Sequence, residues 1–346
     1  MLYIFQMINH MKKDITFKTP QLREDFLFVA KETNYRTAVH FIELIQQCEK
    51  FDKINRKLGG IFPEFWQAVR DAGCRNVNID AINESPNAGA YQAFSEGEFI
   101  NEIWLRKENL NTEYIGYTYL TLYHEYIHSI QHKNTAALLA TPSNPRTKIC
   151  LTPSDYLNLH TLMEQDAFVK QAYLITELYA QKPQLFGNDE VDNWIIPIIG
   201  TTKKEELDSS KLISSFENYL TNSYIDRYLG RLEERLEDGD FGRFQNNFVR
   251  IDHNDIYSVG DTVCENLFTP EHIKNKPYIS DITLIMNDEQ KTRLQKIEDS
   301  LNITNHEKLP TLEEALRKQG MTKQDFLAIS RQEAVPQSPK IEQSPQ

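Results

Sequence analysis

The sequence predicts an α+β fold that is mostly helical. Three observations carry this. Between residues 77 and 106, apolar and aromatic residues alternate or cluster in short runs bounded by turn residues. From residue 112 the apolar spacing switches to three and four, and after residue 150 helical spacing dominates the patterned sequence. With 346 residues, 40% of them apolar and 11% aromatic, the chain can bury a core of ordinary size.

Taken in order, residues 21–58 carry Phe26, Phe28, Val29, then Val39, Phe41, Ile42, Leu44 and Ile45, which predicts two helices ended by Gly59-Gly60. "PEFWQAVRDAG" adds a third, with Pro63 at its start and Gly73 as its stop. Three strands follow in "NVNIDAI", "AYQAF" and "FINEIWLR", the last two forming a hairpin across the turn "SEGE" at 95–98. A helix over 112–133 is read from Ile115, Tyr119, Leu122 and Tyr126, with Ile127 and Ile130 widening the stripe and Glu113 in its first turn. The prolines of "NTAALLATPSNPRTKIC" make a loop. A long buried helix starts there, with Thr152 as N-cap and Pro153 at the first helical position, and stops before Pro183. Helical pieces such as "SSFENYLTNSYIDRYLGRLEERLE" then mix with irregular sequence, and "TLEEALRKQGMTKQDFLAIS" reads as helix, turn at Gly320, helix.

The organisation expected is an N-terminal helical segment (1–58), a core of sheet and two long helices (59–182), a helical and irregular region (183–282), a small helical segment (283–332) and a disordered tail (333–346), poor in apolar residues.

A formal charge of −12 with no basic run excludes a nucleic-acid surface and suits a neutral or basic peptide partner. No run of the roughly 18–20 apolar residues needed for a membrane span is present. At the N-terminus the charges follow a short apolar patch, the wrong order for a signal peptide, so a cytoplasmic location is expected; a specialised secretion signal leaves no mark in this pattern. Cys48, Cys74, Cys150 and Cys264 form no CxxC pair and read as free buried thiols of a reducing compartment.

The chemistry is concentrated in "YHEYIHSIQH", residues 123–132. His124 and His128 are four apart, so their imidazoles leave one helix face roughly 6 Å apart, a separation at which both nitrogens can bind one zinc ion at about 2.0–2.1 Å. Glu125 projects beside that ion, where a carboxylate can take the proton of an attacking water. Leu120, Leu122, Ile127 and Ile130 make the site partly buried, where His and Glu without partners are unfavourable. His132 lies a further turn on, too far to join unless the helix unwinds, and is assigned either to support of the ligands or to the surface, with the surface favoured. The HExxHxxGxxH pattern would need Gly at 131 and His at 134, where this chain has Gln131 and Asn134. The leading third ligand is Glu164, set in an apolar stripe with Leu157, Ala167, Phe168 and Ile175. Asp166 is a rival with Lys170 available as a helix-surface ion partner, and His160, one turn before Glu164, is another.

Together, "AYQAFSEGEFINEIWLR", "LYHEYIHSIQH" and "MEQDAF", with Glu164 36 residues after His128, resemble the zincin metallopeptidases in their gluzincin form. The wording is also similar to an uncharacterised bacterial metallopeptidase family. The resemblance covers about residues 60–182 and implies a zincin-like core over 59–182, with a small mixed sheet, the HExxH helix and a third-ligand helix. It implies a Zn2+-dependent peptide hydrolase with His124, His128 and Glu164 as ligands and Glu125 as general base. It further implies an oxyanion donor after the third ligand, for which Tyr228 and His253 are the candidates beside Tyr224. The strand "FINEIWLR" would be the edge to which an extended peptide substrate adds, residues 183–282 a lobe completing the cleft, and residues 283–332 a dock for a protein partner. The chain departs from the gluzincin pattern at Phe168, where some members carry an aspartate that orients a histidine ligand, so that role is unassigned. The competing expectations are an inert zincin-like domain serving as a protein-interaction module and a metal-free helical protein.

Overall fold

A computed structural model describes residues 78–82, 89–95, 98–106, 115–135, 150–181, 224–239, 247–252, 256–264 and 281–322, together with a few single positions. The helices expected over 21–58 and 63–73, the first-turn Glu113, the loop after Thr135 and the tail lie outside them. The described residues are mostly helical, with two small sheets, which places the chain in the α+β class. No described helix is long and apolar enough to cross a membrane.

The chain divides into two compact units. The first comprises Met1–Phe94, Ile100–Ser129 and Leu174–Trp194; the second comprises Ser95–Phe99, Ile130–Tyr173 and Ile195–Gln346.

In the first unit the three expected strands form one sheet. β1 (Asn78–Ile82), β2 (Gly89–Ser95) and β3 (Glu98–Arg106) are ordered β1-β3-β2. β1 and β3 are parallel, with Ile79 opposite Ile103 and Ile82 opposite Arg106. β2 and β3 are hydrogen-bonded neighbours with only Glu96 and Gly97 between them; a parallel pair needs a crossover of about a dozen residues, so these two are antiparallel and the sheet is mixed. One expectation is corrected here: β3 ("EFINEIWLR") has a neighbour on each side and is the central strand, so that among the described residues the edge strands are β1 and β2. Helix α1 (Ile115–Thr135) follows, and its turn at Thr121–Glu125 lies against the first residue of β2.

In the second unit, to which helix α2 (Pro153–Gln181) belongs as far as Tyr173, that helix runs through the core, with nearly every side chain from Leu157 to Ala172 buried. It begins as the sequence predicts: Asp155 N–H donates to Thr152 Oγ1 at 3.2 Å, and Thr152 Oγ1–H donates to Asp155 Oδ2 at 2.7 Å. Around it pack α3 (Ile225–Glu237), α4 (Ile256–Val263), α5 (Asp288–Ser300) and α6 (Leu312–Lys318). One group of core side chains joins Leu159, Leu162 and Met163 of α2 to Val259 and Val263 of α4 and Leu312 and Leu316 of α6. A second joins Leu157 to Tyr228, Leu229 and Leu232 of α3 and Leu294 and Ile297 of α5, each buried aliphatic contributing about 1.5–3 kcal/mol.

Two short strands escaped the sequence reading. β4 (Cys150–Leu151) was expected as loop and β5 (Phe248–Val249) as irregular chain, yet they pair in parallel, and the ladder continues through the bridge Arg250 to Thr311. Two residues are too few for any periodicity to register. Cys150 and Cys264 are free and buried as expected, and burial pushes the Cys150 thiol up to about 11.

Candidate metal centre

The HEYIH turn sits in the middle of α1, where Leu120, Tyr126 and Ile127 are buried together with Glu125 and His128. The i, i+4 spacing brings the two imidazoles to 4.6 Å between centroids, nearly perpendicular at 84°, with their Nε2 atoms 3.0 Å apart. Two ring nitrogens aimed at one point at that distance need a shared proton or a shared cation between them. Glu125 projects from the same turn toward the sheet: a Cβ built on Gly89 would stand 3.2 Å from its Cγ.

On α2, Glu164 is buried with 6% of its surface exposed, so its carboxylate requires partners. One is Tyr228 of α3, whose hydroxyl donates to Glu164 Oε1 at 2.7 Å. Burial first, and then the Glu164 charge, hold the Tyr228 phenol well above its usual pKa, so it remains a donor. The ring of Tyr228 stacks at 5.0 Å from His160 and 6.2 Å from Tyr224, with the Arg231 guanidinium 5.6 Å from its centroid. This partner of Glu164 was not foreseen from sequence; the i, i+4 pair Tyr224–Tyr228 beside Arg227 and Arg231 was the available signal.

His124, His128 and Glu164 each offer one ligand atom, and these atoms lie within 4.8 Å of one another, the one such group among the described residues. Two donors on a tetrahedral zinc at about 2.0–2.1 Å stand about 3.3 Å apart. The histidine pair is within a few tenths of an ångström of that. Two imidazoles and one carboxylate, with Glu125 next to the first histidine, fit zinc by donor type and number.

The rivals for the third position are placed elsewhere. His160, only 2% exposed, lies between the rings of Tyr156 at 4.3 Å, Tyr228 at 5.0 Å and His132 at 5.4 Å, outside the group. Its neighbour in that stack is His132, half-buried against it, which departs from the surface position favoured for it and agrees with the other role left open. Asp166 does pair with Lys170, at 2.7 Å, but the pair is no surface bridge: Asp166 is wholly buried and the Lys170 side chain is 14% exposed. Gln131 Nε2 donates to the same Asp166 carboxylate at 3.1 Å and to the Met163 carbonyl at 3.0 Å, and Lys170 Nζ donates to the Cys264 carbonyl at 3.0 Å. Asn134 Nδ2 donates to the Val263 carbonyl at 2.8 Å. Gln131 and Asn134, which stand where the HExxHxxGxxH pattern needs glycine and histidine, thus tie the end of α1 to α2 and α4. His253 falls outside the described residues.

Comparisons with protein-family models, with curated proteins and with solved structures find no match for this chain.

Proposed function

We propose that this chain is a zinc-dependent metallopeptidase, with His124, His128 and Glu164 as ligands and Glu125 as general base. The observation that carries the reading is the approach of those three ligand atoms to within 4.8 Å of one another beside a buried glutamate. A zinc ion held there supplies an acidified water and polarises a carbonyl oxygen. The Glu125 carboxylate, buried on the turn between the two histidines, takes a proton from the attacking water and returns it to the leaving amine.

Peptide as substrate is favoured by the sheet. β2 is an edge strand among the described residues, and its first residue, Gly89, lies against Glu125. An extended chain adding to that edge would pair its main chain beside the proposed base without demanding particular side chains.

The test combines metal content with turnover. Elemental analysis of the wild type beside His128→Ala and Glu164→Ala is expected to give one zinc per chain, lost in both variants. Hydrolysis of a quenched-fluorescence peptide library is expected of the wild type and not of Glu125→Gln. Zinc without Glu125-dependent hydrolysis would leave an inert zincin-like interaction module. A wild type without zinc would overturn the metalloenzyme reading.

A further inference from the structure

We infer that Tyr228 is the positioning residue of the third ligand: its hydroxyl holds Glu164 Oε1 and so fixes the direction the carboxylate faces. The inference rests on the zinc reading above.

A glutamate carboxylate rotates broadly about its last torsion, so a ligand of this type must be oriented by a partner. The distance from Tyr228 Oη to Glu164 Oε1, 2.7 Å, is that of a charge-assisted hydrogen bond, the stronger kind. With Oε1 held, rotation of the carboxylate about its last torsion is restrained.

The hydroxyl is itself set in place by packing. Tyr228 is 6% exposed and lies in a core group with Leu157, Leu229 and Leu232. Helix α3 is in turn fixed to α5 by Arg293, which bonds Glu233 through Nε at 2.8 Å and Nη2 at 2.7 Å and reaches Asp226 at 3.1 Å. Bidentate pairing of this kind limits sliding between helices. A ligand oriented by a packed helix stays poised when the ion leaves, which is what a preorganised site requires.

The experiment measures zinc dissociation constants by competition with a chromophoric chelator, at a temperature below the melting point of every variant. Tyr228→Phe is expected to bind zinc about 10–100-fold more weakly than the wild type. In a Glu164→Ala background, which loses zinc on purification but is titrated here to concentrations that fill the weaker histidine pair, the same substitution is expected to change zinc affinity less than twofold, because the hydroxyl acts only through that carboxylate. Para-aminophenylalanine at position 228, which keeps a donor on the same ring, is expected to bind zinc within about threefold of the wild type, and it carries the test should the Phe variant not fold. An unchanged dissociation constant in Tyr228→Phe, whatever its melting temperature, overturns the assignment and leaves Tyr228 a packing residue. An undiminished effect in the Glu164→Ala background, or a tenfold loss with the amino analogue, also overturns it. A wild type that binds no zinc is a distinct result, which overturns the zinc reading and this assignment with it.

Discussion

At Gly89 a Cβ would lie 2.6 Å from Thr121 Cγ2, 3.1 Å from the Trp104 carbonyl oxygen and 3.2 Å from Glu125 Cγ. The start of β2 can approach α1 this closely only without a side chain. Gly89→Ala is therefore expected to destabilise the protein by about 1–3 kcal/mol in a denaturant melt, as overpacking does. Adding Thr121→Ala, which removes the nearest obstructing atom, should recover part of the loss; no recovery would mean that the Trp104 carbonyl is the obstacle that matters. Glu125 makes a separate demand. Glu125→Gln keeps the shape of the site but removes the proposed base, so zinc content should stay at the wild-type level while peptide hydrolysis falls about 10²–10⁴-fold. Equal loss of metal and activity would make Glu125 a ligand instead.

At the scale of elements, α2 organises the second unit through polar groups as much as apolar ones. The Asp166–Lys170 pair, with Gln131 on the same carboxylate, links α1, α2 and the end of α4. Removing one member of a buried ion pair strands the other charge, so Asp166→Ala should lower unfolding free energy by about 3–5 kcal/mol, while Asp166→Ala with Lys170→Met should lower it much less. The N-terminus of α2 is tied to α5 through Glu298, whose Oε1 accepts from Ser154 N–H at 3.2 Å and whose Oε2 meets His306 Nε2 at 2.9 Å. The Glu298 bond, then its charge and that of Asp155, raise the His306 pKa above 6.5 against burial and Arg250. A raised folded value means that the contribution is fully present below about pH 6.5 and is lost as pH rises through the folded pKa. The melting temperature of the wild type should fall relative to that of His306→Ala across that rise; parallel curves would show that the contact contributes nothing to stability.

At the scale of the whole molecule, a metal joining residues from two helices distant in sequence is linked to folding. A ligand that binds only the native state at a hundred times its dissociation constant adds about 2.7 kcal/mol, so zinc should raise the melting temperature of the wild type and a chelator should reverse the rise. His128→Ala should melt at the same temperature with and without zinc. A zinc-dependent rise in that variant would place the stabilising ion elsewhere.

The sequence by itself determined the strands β1 to β3, the two long helices and the pairing of His124 with His128, because each is a local pattern: a period of two, a period near 3.6, or an i, i+4 spacing within one helix. The capped start of α2 was legible for the same reason, since Thr152, Pro153 and Asp155 act within one turn. Only the tertiary structure decided that β3 lies between β1 and β2, because strand order depends on contacts between segments whose own patterns are alike. Tertiary structure alone also separated Glu164 from Asp166 and His160. All three are polar residues on one buried helix, and what distinguishes them is the partner each meets: Tyr228 for Glu164, Lys170 and Gln131 for Asp166, aromatic rings for His160. A buried polar group announces in sequence that it needs a partner, but burial is satisfied by any well-placed one, and the fold makes that choice.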